Sequence, residues 1–435
     1  MVIEILLVAL VFLFCLTQGK TSIICLFVFL LPVHLTMKQV CVLMGGGSLW
    51  ALWYDIAIFV LLFKTLLGSH SSIPLKSGIA GYLILAFFCF CMSYFSTPRD
   101  PESLSTFRSY LHCIALFVSF SSIKFTAKDV RKIYSVLLYS TIFNCVAALI
   151  IYFNFQLEWH ILLNQVEFTV NGIQYSSPSF LIMGIERLNG FLCGPNQFGA
   201  YISVMIVLLL MLKPYAKPRQ IPYNICLLLS FCCLILSFAR AGWAIVFIFV
   251  SLKSIFSGNI KKLVSFAGIL VSVLSLSVLV LYIASPDLFT VVVSTFNGEE
   301  SSAAGRQENV MNGLWEIVST PWGHGLGSGL SEKGAPVAES SLVILLYELG
   351  ILGVVYYFAF ISLAVAKVRK WEKSFTDQIL SFALASLIIC VVSLTIVTFP
   401  NIYYFWLILG FALNPSFKLI RMVSKLPDVS TIKLS

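Results

Sequence analysis

Apolar runs of about 20 residues recur along this chain, the length a helix needs to cross the hydrocarbon core of a bilayer. Lipid offers no hydrogen-bond partners, so a spanning segment must satisfy its backbone internally, and runs of this length do so as α-helices. Of the 435 residues, 59% are hydrophobic and 11% charged, against about 25% charged in a soluble domain. Mean hydropathy is +0.96. The expected fold class is all-α, a polytopic transmembrane helical bundle forming a single integral membrane domain over residues 1–435.

From residue 49 onward, spans are expected over 49–67, 78–96, 107–123, 132–153, 196–212, 221–238, 241–257, 262–284, 338–366, 377–398 and 402–417. Residues 3–17 and 21–35 are also apolar, but the second run is short, and Pro32 and His34 weaken its end. One crossing or two therefore remain open at the N-terminus, and the total comes to about 12 spans. Residues 1–17 lack a basic n-region and carry Glu4, which argues against a cleaved signal peptide.

The net charge of +9 raises the question of nucleic acid. The cations cluster at Lys124–Lys132, Lys213–Arg219, Lys253–Lys262, Lys367–Lys373 and Lys418–Lys425. Those are the ends of apolar runs, the positive-inside pattern of cytoplasmic turns, so no nucleic-acid partner is expected. Most of the 12 cysteines sit inside apolar runs, among them Cys89, Cys91, Cys226, Cys232, Cys233 and Cys390, and act as small hydrophobes. No disulfide or zinc spacing falls in an aqueous loop. There is no nucleotide-binding module, so function is expected in the membrane or on its outer face, without ATP.

That alternation leaves two long outer loops, 154–195 and 285–337, and long loops commonly carry function. The second is acidic, with seven Asp and Glu from Asp287 to Glu339 against Arg306 and Lys333. Its residues 304–319 have the period of a short amphipathic helix, with Val310, Met311, Leu314, Trp315 and Val318 on one face. Trp315 would lie at headgroup level, and Pro321 ends the helix. The stretch "PWGHGLGSG" follows at 321–329. It has neither the strand before it nor the helix and Lys-Ser/Thr after it that a nucleotide loop needs. A flexible turn, or close backbone approach, explains its glycines.

Three arginines break the positive-inside pattern: Arg187 in "ERLNGFLCGPNQFGAY", Arg240 in "LSFARAGWA", and Arg306 at the start of the loop helix. A membrane-proximal arginine is costly unless paired or wet, and marks a functional site by default. Its planar fork matches phosphate oxygens, so three around one cavity would suit a diphosphate. The alternative is structural pairing, Arg187 with Glu186 and Arg306 with Glu308.

At these residues the chain resembles the bacterial O-antigen polymerase (Wzy-type) and O-antigen ligase superfamily of integral membrane glycosyltransferases. The resemblance runs from about Asp55 to residue 366. It rests on Asp55 in an early span, on Arg187, Gly190 and "GPNQFGAY", and on Ser237 with Arg240 between two spans. It continues through "GRQENVMNGLWEIV" and "GHGLGSG" into "ESSLVILLYELGILGVVYY", whose "ELGILG" is the most telling part.

The resemblance implies a polysaccharide polymerase joining oligosaccharide repeat units carried on undecaprenyl diphosphate, at the periplasmic face of the bacterial inner membrane. The product would be O-antigen, capsule or exopolysaccharide, and a separate protein would set chain length. Ligases of the superfamily carry a histidine just before the helix after the large loop. Here that position resembles Glu339, which favours a polymerase over a ligase transferring glycan to lipid A core. The reading from another class is a lipid-linked oligosaccharide flippase, but no internal repeat of the kind transporters show is visible.

The candidate catalytic residues are Arg306 and Arg240, to offset charge on the leaving diphosphate, and Glu339 as base. Glu339 also reads as an acid favoured by a helix N-terminus. Arg187, Asn196, Trp315, Trp322 and His324 are the candidate substrate contacts; interface anchoring for the tryptophans and a solvated His324 are the plainer readings. Asp55 is read as structural. No Asp-x-Asp or other metal-ligand constellation is present in the outer loops, so no metal or other cofactor is expected.

Overall fold

The computed structural model describes residues 2–46, 49–67, 101–155, 187–192, 194–216, 218–256 and 318–328, four short strands between 166 and 186, residues 347–352, and isolated positions elsewhere. Helices dominate. They are α1 (Val2–Thr17), α2 (Lys20–Leu30), α3 (His34–Leu43), α4 (Leu52–Leu67), α5 (Pro101–Ser122), α6 (Ala127–Asn154), α7 (Pro195–Ala216), α8 (Gln220–Leu236) and α9 (Arg240–Phe256). Among the described residues, four stretches are long and apolar enough to cross a membrane: Lys20–Leu43, Leu49–Leu67, Ala127–Asn154 and Pro195–Lys213. The expected spans 78–96, 262–284 and 377–398, and most of 338–366 and 402–417, lie outside the described residues.

The N-terminal region departs from the sequence reading. Pro32 does not end the second apolar run, because it sits in a 3-10 turn, Leu31–Val33, that joins α2 to α3. Proline is tolerated there, at the start of a helical segment, where its missing N–H has no partner to lose. The joined helix reaches Leu43 and forms one of the four candidate spans. His34 is buried, and one ring nitrogen accepts a hydrogen bond from Trp53 Nε1 at 2.8 Å. Glu4 is buried as well, and its Oε1 accepts from Trp50 N at 2.7 Å. It thereby satisfies an orphan N–H of the 3-10 turn Leu49–Ala51 that leads into α4.

At the other end of these helices the turns are stapled by polar side chains. Thr126 and Asp129 make a reciprocal capping box at the start of α6, and Thr21 donates to Asp129 at 2.7 Å. Lys64 Nζ donates to the carbonyls of Leu16 and Gln18 just past α1, where a cation also suits the helix dipole. Asn414 Nδ2 donates to Phe120 O and Ile123 O, closing the C-terminal end of α5. Lys124, Lys128, Arg131 and Lys132 belong to this end, which we call the basic end.

Helix α7 is the centre of the bundle: 83% of its spanning window is buried, against 39–50% in the other candidate spans. It is apolar all round, as a helix enclosed by others must be, and it packs against α6, α8 and α9. The α7–α9 contact is made by small residues. A Cβ on Gly199 would lie 2.1 Å from Ala239 Cβ, and one on Gly242 would lie 2.8 Å from Gly199 O. Without a hydrophobic driving force between helices in lipid, such close backbone approach supplies the packing. Conversely, α1, α6 and α8 leave large side chains such as Leu10, Phe143 and Leu228 exposed, the surface expected to meet acyl chains.

Outside the helices, Val166–Val170 pairs antiparallel with Ile173–Ser176, and Leu181–Ile182 with Ile185–Glu186. The first pair has Val170 opposite Ile173, so only Asn171 and Gly172 separate the strands. Asn-Gly between alternating apolar residues is the strongest short hairpin signal. Residues 166–186 therefore hold strand structure that an all-α reading omits.

Replacing Gly242 with Val forces side-chain atoms into the Gly199 backbone and is expected to destabilise the protein by about 1–3 kcal/mol. Gly19, with nothing within 4 Å of a built Cβ, tolerates alanine. Thermal unfolding of both variants in detergent checks the contrast, and equal midpoints would mean that α7 and α9 are not in this contact.

Candidate functional site at one end of the bundle

Opposite the basic end, the chain leaves helical geometry at three places: 187–192, the α8–α9 turn, and 320–328. Such backbone is tolerated at membrane depth only where protein buries it or it lines a cavity. Leu188, Asn189 and Leu192 are indeed buried, and Thr36 of α3 donates to Phe191 O at 3.0 Å. Gly190 has φ +55, and a Cβ there would strike Phe198, so the turn requires glycine.

Arg187, 6% exposed, holds this region together. Its Nε donates to Ser237 O at 3.0 Å, and Nη2 donates to Asn196 Oδ1 at 2.7 Å and to Phe238 O at 3.4 Å. Leu188 N donates to Leu236 O at 3.0 Å beside it. The carbonyls it reaches belong to the α8–α9 turn, where Phe238 takes a left-handed φ of 49°, uncommon for a bulky residue. Two residues further on, the exposed Arg240 opens α9. Three sequence-derived candidates thus converge. Arg187 and Asn196 touch directly, and Arg240 stands on the turn that Arg187 grips. The Glu186 side chain is not among those described, and the fork of Arg187 is engaged in this grip.

The glycine-rich stretch docks backbone against backbone on residues 347–351. His324 N donates to Tyr347 O at 2.8 Å, Gly325 N to Glu348 O at 2.9 Å, and Ile351 N to Pro321 O at 2.9 Å. Gly323 (φ +81) and Gly350 (φ +60) face each other so closely that a Cβ on Gly350 would lie 2.2 Å from Pro321 O. The buried Glu348 fastens the turn: Oε1 accepts from Gly327 N at 3.0 Å and Oε2 from the Tyr110 hydroxyl at 3.1 Å. On α5, Ser103 donates to Leu326 O at 2.8 Å. Close backbone approach therefore accounts for these glycines.

The expected aromatic contacts divide. His324 is not simply solvated: its ring stacks on Tyr347 with centroids 4.3 Å apart, and Nε2 is 2.8 Å from Thr320 Oγ1. Trp315 and Trp322 are 69% and 79% exposed, open to sugars or headgroups alike. Arg306 and Glu339 lie outside the described residues.

Asp55, read as structural, is tied to α5, and with it come residues the sequence reading missed. His112 Nε2 lies 2.7 Å from Asp55 Oδ1, and His112 Nδ1 lies 3.0 Å from the Tyr403 hydroxyl. A proton on Nε2 satisfies both contacts, with Tyr403 donating to Nδ1. Arg108 Nη1 is 3.6 Å from Asp55 Oδ2, and its Nη2 donates to the Tyr54 hydroxyl at 2.7 Å. Helix α5 carries both Arg108 and His112 toward α4, one turn apart. These ionisable residues, with a serine run, leave α5 less apolar than the four candidate spans. That unusual polarity in a span was the available signal. Among the described residues no group of three His, Cys, Asp or Glu gathers to hold a metal ion.

A scan of family models and a search of curated proteins return no match to this chain.

Two substitutions test these anchors. Arg187→Lys keeps the charge but cannot reach Asn196 and both turn carbonyls together, and is expected to cost about 2 kcal/mol in detergent unfolding. Gly323→Ala drives a methyl group into Glu348 O and is expected to undock the turn, read as faster proteolysis within 320–328; unchanged proteolysis would refute the docking.

Proposed function

We propose that this protein is a membrane glycosyltransferase, a polysaccharide polymerase that joins polyprenyl-diphosphate-linked oligosaccharide repeat units at the periplasmic face of the inner membrane. The observation that carries this reading is the convergence of Arg187, Asn196 and the Arg240-bearing turn at the end of the bundle opposite the basic end. An arginine-supported site at the outer face suits a diphosphate that stays with its lipid while the sugar is transferred. The motifs "ERLNGFLCGPNQFGAY", "GHGLGSG" and "ELGILG" support it through the superfamily resemblance.

In this mechanism a hydroxyl oxygen of one repeat unit attacks the anomeric carbon of the sugar attached to the other lipid diphosphate. The bond from that carbon to the diphosphate oxygen breaks, and its electron pair leaves on the diphosphate. Arg240 and Arg306, with Arg187 bracing the turn, offset the charge that develops there. Such preorganised stabilisation is commonly the largest catalytic contribution, and one lost donor costs about 10²–10³ in rate. The hydroxyl proton passes to a carboxylate, for which Glu339 is the sequence candidate. A ligase would need a general base at the same position, which Glu339 also supplies; the absence of a histidine near it favours the polymerase.

The test is complementation of cells lacking their own polymerase but making the matching repeat unit. Wild type is expected to restore polymer, while Arg240→Ala, Arg306→Ala and Glu339→Ala, at equal membrane levels, accumulate single repeats. Full polymer from a variant removes that residue from the mechanism. Wild type that restores no polymer with a matched substrate favours the ligase or the flippase.

A further inference from the structure

Arg108 lies about 8 Å along α5 from Ser103, the residue bonded to the glycine-rich turn. It is therefore on the half of α5 near the end where the candidate site lies. A guanidinium has five N–H donors. Here Nη2 donates to Tyr54, while Nη1 faces Asp55 at 3.6 Å, beyond hydrogen-bond length. Arg108 Nε is shielded from solvent and has no hydrogen-bond partner among the described residues. The carboxylate available to neutralise the arginine makes its short contact, 2.7 Å, to His112 instead.

The ion pair with Asp55 is long, and among the described residues the buried Nε is left without a partner, a donor that needs an explanation. The guanidinium is also held in place. It lies 5.5 Å from the centroid of the Tyr54 ring, while Tyr403 and His112 fix the carboxylate beside it. Its side chain is 36% exposed, so it remains reachable. The ligand chemistry that fits a fixed, reachable, donor-rich fork is a phosphate anion. Its place on a helix packed against the apolar span α4 suits an anion delivered on a lipid tail over one free in water.

We propose that Arg108, aimed by its hydrogen bond to the Tyr54 hydroxyl, contacts the diphosphate of a polyprenyl-linked glycan. The assignment rests on the polymerase reading for the identity of that lipid. Asp55 then tempers the arginine's charge in the empty site, and Tyr54 aims it.

The test measures binding of labelled polyprenyl diphosphate to the full chain in nanodiscs of zwitterionic lipid, with wild type, Arg108→Gln, Tyr54→Phe and Asp55→Asn. Arg108→Gln is expected to weaken binding at least ten-fold and Tyr54→Phe about three-fold. Asp55→Asn, by removing a competing carboxylate, binds as tightly as wild type or tighter. Competition by phosphatidylglycerol or by inorganic diphosphate is expected to be weak. Wild-type affinity in Arg108→Gln overturns the proposal. So does a loss in Asp55→Asn equal to that in Arg108→Gln, the pattern of a structural ion pair. Effective competition by phosphatidylglycerol reassigns the site to bulk lipid, and by inorganic diphosphate to a soluble anion. Should Arg108→Gln fail to insert, the Tyr54→Phe result decides, with unchanged affinity counting against the contact. Binding through Arg108 by a protein that restores no polymer would retain this site and remove the polymerase reading. Restored polymer with Arg108-independent binding would do the reverse.

Discussion

In lipid, a backbone N–H or C=O that leaves the helical ladder finds no water to replace its partner. The non-helical segments at one end of this bundle are shaped by that constraint. Arg187 supplies donors to the carbonyls of the α8–α9 turn, and Glu348 supplies an acceptor to the glycine-rich turn. A single charged side chain ties each turn to a distant part of the chain. Fixing irregular backbone this way is what lets one end of a helical bundle hold groups in a set geometry, because the helices themselves only fix direction and spacing.

The central helix makes this arrangement possible. Helix α7 is enclosed on all sides, and its first turn carries Asn196, one of the partners of Arg187. The small residues Gly199 and Ser203 bring α9 against it, which sets where the α8–α9 turn lies and hence where Arg240 begins its helix. Packing and site geometry are therefore one problem here. The charged groups on α5 add a second polar centre: Ser103 and Tyr110 face the glycine-rich turn, while Arg108 and His112 face α4.

Several features were legible because they depend on local physics. Apolar length marked most of the described helices, and the boundaries of α4, α6 and α7 follow from it within a few residues. The proline at 321 and the arginines outside the basic clusters also stand out in a one-dimensional reading. Other features were misread for identifiable reasons. Pro32 looks like a terminator, but a 3-10 turn accommodates it. Asn171-Gly172 was passed over because residues 154–195 were assigned as loop from the spacing of the spans alone. The partners of Asp55 escaped notice because they lie on α5, and the Tyr403 behind them lies far along the chain.

The sequence alone determined that this is a helical membrane protein and which end of each span is basic, since both follow from hydropathy and charge along the chain. It also singled out Arg187, Arg240 and the glycine-rich stretch as exceptional. Only the tertiary structure decided what those features do to one another: that Arg187 grips the turn leading to Arg240, that the glycines permit backbone docking on residues 347–351, and that Asp55, Arg108, His112 and Tyr403 form one network. The physical reason is that hydrogen bonds and ion pairs act over about 3–4 Å in space. Separation along the chain carries almost no information about which distant residues will meet within that range.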